Sequence, residues 1–231
     1  KSICTWTWPV KYADEYFKSQ RTQSTPAKPA EIRKENEDII LSANGISVTF
    51  SGKDGALTKV KCNGQVIPLN NGPLPVGIKA DFKKGESHME GKDALFVVKY
   101  TGAIDSIVWR MTADGLLGMD ARMLNRGNGG GYKGEFFDKN IYYLGLSFSF
   151  PEKEVKGMRW MGRGPYRVWK NRIKGTNYNI WEKEYNNTIT GESFEKLIYP
   201  EFKGYHGNLY WATLQSDKAP FTIYSETDGL Y

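Results

Sequence analysis

The chain has 231 residues, 39% of them apolar and 14% aromatic, and carries a formal net charge of +6. That size suits one large β domain or two small ones, and the apolar content excludes global disorder. The cations are dispersed among acids, which argues for a solvated basic surface and against a nucleic-acid partner, and no run of about 18 apolar residues is present to span a membrane.

Ile3 to Val10 is aromatic and β-branched, with Thr5 and Thr7 alternating against Trp6 and Trp8, and predicts a strand closed by Pro9. Lys11 to Glu37 is polar, holds Pro26 and Pro29, and reads as a linker or extended arm. Within it, Asp14 to Gln20 has the composition of a helical turn. The expected organisation is therefore an end strand of a preceding domain at 1–10, an arm at 11–37 and one β domain at 38–231.

From Asp38 onward strand and turn signals alternate. Ile39–Leu41, Ile46–Phe50, Ala56–Cys62 and Gln65–Leu69 are separated by Asn44-Gly45, Asp54-Gly55 and Asn63-Gly64. Asn, Asp and Gly supply the positive φ that tight hairpins need. Asn70 to Pro75 is predicted irregular, because Pro73 and Pro75 cannot donate to a central ladder. Further strands are predicted over Val76–Phe82, His88–Glu90, Ala94–Thr101, Ile104–Thr112 and Gly115–Leu124, with a hairpin turn at Asp114-Gly115. Gly127–Gly134 is a glycine-rich loop. Tyr142–Phe150 places Leu144, Leu146, Phe148 and Phe150 on one face. No segment sustains a helical period over about 11 residues. The class is all-β, and the architecture a large antiparallel β-sandwich.

The residues that carry chemistry are few. His88, His206, Cys4 and Cys62 make no metal-ligand spacing. Alternation points Cys62 inward, opposite Lys59 and Lys61, either as a free thiol or bridged to Cys4. No Gly-x-Ser-x-Gly elbow occurs, and Gly127–Gly131 lacks the Lys-Ser/Thr of a phosphate loop, so no metal or cofactor is expected. Glu135 with Asp138, Glu182 with Glu184, and Glu192 with Glu195 are the carboxylate pairs a glycosidase would need. Nothing in the sequence fixes their geometry; they read as solvent-facing charges, and no catalytic residue is assigned. Met158 to Trp211 is rich in aromatics and includes Arg163, Arg167 and Arg172. Rings take the apolar faces of sugars while charged side chains meet their hydroxyls. At least half of these rings are expected to be core packing.

Trp160-Met161-Gly162-Arg163-Gly164-Pro165 resembles the Trp-x-Gly-Arg-Gly-Pro signature of the β-galactosidase small-chain domain in glycoside hydrolase family 2. Its glycines would permit sharp bends and Pro165 would fix the exit, holding Arg163 in one direction. Tyr199-Pro200 through Gly204, followed by Trp211, is similar to that domain's Tyr-x-x-Pro-x-x-x-Gly stretch and trailing Trp. Ile46–Phe50, Gly55-Ala56-Leu57, Asn63-Gly64 and Gly72-Pro73-Leu74-Pro75 resemble its opening hairpins and Pro-containing loop. The similarity covers residues 38–231, and Thr5–Pro9 resembles the end of the immunoglobulin-like domain that precedes it.

The resemblance implies a galactose mutarotase-like supersandwich whose partner, a catalytic (β/α)₈ barrel, lies elsewhere in a parent chain. It implies an accessory, carbohydrate-interacting role in a periplasmic or extracellular setting, without activity of this chain alone. Arg163, Tyr166, Trp169, Arg172, Glu201 and His206 are the candidate carbohydrate-binding residues. Where the family runs to Glu, Tyr, Asp and Arg, this chain has Arg167, Trp169, Asn171 and Arg172. Both carboxylates are gone, which argues against β-galactosidase specificity and for a different family 2 sugar; the partner the resemblance implies is a galactoside-like or related sugar. The family domain also continues further, so the sandwich is expected to lack its last strands and to offer an open edge for self-association. Two other readings are an independent carbohydrate-binding module and a stand-alone sugar epimerase using Glu201 and His206 as acid and base.

Overall fold

The computed structural model describes residues 7–21, 28–123, 144–165, 168, 173–188 and 201–227. The chain divides into two compact units: Ser24–Pro151, and Lys1–Gln23 together with Glu152–Tyr231.

The Ser24–Pro151 unit holds β1 (Glu31–Glu35), β2 (Asp38–Ala43), β3 (Ile46–Phe50), β4 (Leu57–Cys62), β5 (Gln65–Ile67), β6 (Asn70–Val76), β7 (Ala80–Glu90), β8 (Asp93–Gly102), β9 (Ile104–Met111), β10 (Leu117–Met123) and β11 (Gly145–Ser149). One sheet runs β1-β2-β3-β4-β6-β11 with β5 on β4, and the other runs β10-β9-β8-β7. Among the described residues every strand pairing of this unit is antiparallel, as short hairpin links require. The β2–β3 turn has Asn44 at φ 45 and Gly45 at φ 79, and the β4–β5 turn has Asn63 at φ 49 and Gly64 at φ 82. Two successive left-handed residues are what a two-residue turn needs to follow strand twist.

The core follows from period-2 alternation. Leu41, Val48, Phe50 and Leu57 of the first sheet form one cluster with Phe96, Val98, Ile104, Ile107, Trp109 and Met111 of the second. The Phe50 ring lies 5.2 Å from Phe96 and 5.0 Å from Trp109, so it joins the two sheets. This unit is a β-sandwich, as the turn spacing predicts. Three local expectations fail. Asn70–Val76 is a strand despite its prolines, because the β6–β11 register shifts between Ser147 and Ser149 and passes over Pro73, while β4 meets β6 only at Leu57 and Gly72. β7 is one strand of 11 residues where two were predicted, and its polar middle suits a sheet margin. Cys62 is half-buried and free, not enclosed; Cys4 lies outside the described residues.

The other unit carries a four-stranded antiparallel sheet, β13-β12-β14-β15, from β12 (Gly157–Gly164), β13 (Asn177–Glu184), β14 (Trp211–Gln215) and β15 (Phe221–Tyr224). Its helix α1 (Ala13–Gln20) buries Ala13 and Phe17, four residues apart on one face. The Glu15 carboxylate accepts the Tyr12 backbone N–H at 3.2 Å, and Asp14 pairs with Lys18 at 3.0 Å. Phe17 lies 5.1 Å from Tyr224 and Tyr16 lies 5.4 Å from Tyr210, ring to ring. The stretch read as an arm thus supplies α1 to one unit and β1 to the other. Thr7–Val10, read as part of a strand, forms no ladder; the Thr7 hydroxyl instead accepts the Tyr178 backbone N–H at 3.0 Å. Among the described residues no helix is long and apolar enough to cross a membrane.

Candidate functional site

β12 is a central strand, paired to β13 on one side and β14 on the other. Its glycines serve close approach within a continuous strand, not the sharp bends expected from the motif. A Cβ on Gly162 would stand 3.1 Å from the Asn208 carbonyl oxygen, and one on Gly164 would stand 2.6 Å from the Trp181 ring. The Trp181 indole N–H donates to the Gly162 carbonyl at 3.2 Å. Gly164 therefore makes room for the Trp181 indole, and Gly162 for the backbone of Gly207–Leu209. Arg163, between the two glycines, donates its backbone N–H to the Gly207 carbonyl at 3.1 Å.

Alternation and register sort the side chains to two faces. Trp160 and Lys183 share the inward face. Trp160 is fully buried; its indole N–H donates to the Arg163 carbonyl at 3.3 Å, and the His206 ring stands edge-on to it at 4.7 Å. The Lys183 ammonium donates to the Glu201 carbonyl at 2.6 Å and sits 5.6 Å from the Trp160 ring centroid. Burial pulls the Lys183 pKa down, and the Glu201 charge opposes that shift. Burial also pulls His206 down, opposed by the hydrogen bond between its Nε2 and the Phe202 carbonyl at 3.2 Å and reinforced by Lys183. His206 Nδ1 is buried with no hydrogen-bond partner.

This cluster makes stability depend on pH. The folded state holds His206 neutral below its ordinary value of about 6.5, so the unfolded chain binds the extra proton there. The contribution is complete above the unfolded value, shrinks as pH falls through it, and levels off below the folded value. Urea unfolding followed from about pH 8 to pH 5 is expected to show this loss, with a slope of at most about 1.4 kcal/mol per pH unit from this group. His206→Gln should flatten the profile over that window; an unchanged slope would show that other groups set it.

The outward face carries a different chemistry. Arg163 and Tyr178 are cross-strand partners, and the guanidinium carbon lies 4.5 Å from the Tyr178 ring centroid. Tyr178 meets Tyr210 at 6.1 Å, near perpendicular, and the Tyr210 hydroxyl donates to the Lys11 carbonyl. Pro9, Tyr12, Ala13, Tyr178, Asn208 and Tyr210 line a cleft of about 80 Å³. Tyr12 is 60% exposed at its rim.

The described ones among the predicted site residues, Arg163, Glu201 and His206, do not assemble into one constellation. Glu201 and His206 lie on the buried side beneath Trp160, whereas Arg163 points to the other face. Tyr166, Trp169 and Arg172 lie outside the described residues. The pair proposed for epimerisation is enclosed, and the cleft does not include it. Among the carboxylate pairs, Glu182 and Glu184 are exposed, Glu182 accepting from Gln215 at 2.7 Å, while Glu135, Asp138, Glu192 and Glu195 lie outside the described residues. Among the described residues no group of three His, Cys, Asp or Glu is placed to hold a metal ion. Sequence reasoning did not single out Tyr12, Tyr178, Lys183 or Tyr210. Tyr178 was the findable one, since pairing the Arg163 strand with the next aromatic strand brings it opposite.

Comparison with curated proteins returned no match. The profile of the family described as Beta galactosidase small chain matches residues 76–228. That span contains the Trp160–Pro165 motif, all of β12 to β15 and the second sheet of the sandwich. It also contains the Gly164 seat of Trp181 and the Arg163 strand, and the chain belongs to the β-galactosidase small-chain family.

Proposed function

We propose that this chain is the non-catalytic, carbohydrate-interacting part of a family 2 glycoside hydrolase, on a galactose mutarotase-like sandwich. Its partner is a catalytic barrel that carries the acid/base and nucleophile glutamates elsewhere in the polypeptide, in a periplasmic or extracellular setting. The observation that carries this reading is the small-chain match over residues 76–228. The half-buried Arg163–Tyr178 pair and the exposed Tyr12 support the sugar contact, since a ring face and a guanidinium suit the two kinds of sugar surface. A second copy, if it associates, would pair along β15, where Ile223 is 61% exposed.

The purified chain is expected to hydrolyse aryl galactosides no faster than buffer. Added to the catalytic part of its parent enzyme, it should raise turnover. Hydrolysis by the chain alone would sink the reading. The independent-module reading is favoured by the exposure of Tyr12, and calorimetric titration separates the two. Tight binding of oligosaccharides by the isolated chain, with no effect on the barrel, would favour the module.

A further inference from the structure

We infer that the Arg163–Tyr178 stack is a subsite for a carboxylate-bearing sugar, a hexuronate unit. This rests on the carbohydrate-contact reading above and narrows it to an acidic ligand.

The Arg163 guanidinium carbon lies 4.5 Å from the Tyr178 ring centroid, and among the described residues no carboxylate pairs with it. Arg110, of comparable burial, is held by Glu90 at 3.0 Å and Asp93 at 3.1 Å. A structural arginine in this protein thus has two acids, and Arg163 has a ring. The ring holds the guanidinium by a cation–π contact that uses none of its N–H donors, which leaves the fork for a planar, bidentate acceptor. A carboxylate meets that requirement; a neutral hydroxyl meets only one donor at a time.

The surroundings favour a sugar as the bearer of that carboxylate. Tyr178 is shared between the guanidinium and the cleft, where the Asn208 side chain and the Tyr12 ring also lie. The cleft has room for only two or three waters' worth of volume, about 80 Å³. It admits a substituent and not a whole pyranose, so a bound ring must rest outside, against the exposed face of Tyr12. A net charge of +6 favours the approach of an anion.

The test is calorimetric titration of the full chain with methyl β-glucuronide and methyl β-galacturonide, with their neutral methyl esters, with methyl β-galactoside and with acetate. The acids should bind about tenfold more tightly than their esters, the worth of one charge-assisted pair. Added salt should erode that advantage. Arg163→Gln should abolish the preference for acid over ester, and Arg163→Lys should keep part of it. Equal binding of acid and ester, or a preference that survives Arg163→Gln, overturns the subsite. Acetate binding as tightly as the uronides overturns it too, since the site would then hold any anion. If methyl β-galactoside binds with no gain from the carboxylate, the subsite fails while the carbohydrate-contact reading stands. If no sugar binds to the folded chain, both fail.

Discussion

Trp160→Ala is expected to destabilise the unit built on β12–β15 by about 3–5 kcal/mol, the range for deleting a large buried aromatic. Trp160 is completely buried, and three separate interactions converge on it: the His206 edge, the Lys183 ammonium and the Arg163 carbonyl. Alanine leaves a cavity and removes the π face that helps hold a buried cation. It also strands the carbonyl that accepts the indole N–H. Trp160→Phe separates these effects. It keeps a ring under His206 and Lys183 but leaves the carbonyl unpaired, at about 1–3 kcal/mol. Urea titration read by circular dichroism, with hydrogen exchange of the β12 and β14 amides, measures both. A loss under about 1 kcal/mol for the alanine variant would show that the ring is not the centre of that unit.

What was legible in the sequence was what short-range sterics decides. The Asn44-Gly45 and Asn63-Gly64 hairpins needed no tertiary information, because positive φ at two successive positions has few chemical solutions. The alternation of Ile46–Phe50 likewise announced a strand with one buried face, that of Val48 and Phe50, whereas the residues of β11 are at most half-buried and Leu144 is exposed. Helix α1 was legible only as a helical turn at Asp14–Gln20, because its eight residues span little more than two turns and only Ala13 and Phe17 are buried. Such a helix is stabilised by docking, not by propensity. β6 escaped because the rule against proline in a ladder assumes a regular register, and the shift beside Ser147 relaxes it.

The candidate site was legible as a list of residues but not as a place. Arg163, Glu201 and His206 all belong to the motif-bearing half of the chain, and sequence proximity suggested a common cluster. Strand parity divides them. Residues 160 and 163 differ by an odd step, so the side chain of Arg163 leaves the face on which Trp160, Lys183 and His206 meet. The division also fits the two cations. Lys183 is enclosed, where its compact ammonium finds one carbonyl and one ring, and burial lowers its pKa. Arg163, half-buried on the other face, presents a planar guanidinium fork, the better tool for recognition.

The Ser24–Pro151 sandwich yields the second large effect. Phe50→Ala should cost about 3–5 kcal/mol, because the fully buried ring bridges Phe96 and Trp109 and its loss opens space between two sheets. Trp109→Phe next to it should cost under about 1.5 kcal/mol. Trp109 is also buried, but its indole N–H has no acceptor, so the folded state already bears the penalty of that donor. Phenylalanine removes the unsatisfied group together with some packing, and the two changes oppose each other. The same replacement at Trp160 removes a satisfied donor and leaves an acceptor stranded, so both changes run against stability. Denaturant midpoints of Phe50→Ala, Trp109→Phe and Trp160→Phe should therefore separate the tryptophans by hydrogen bonding and not by size. If Trp109→Phe proved as costly as Trp160→Phe, ring volume alone would govern both sites.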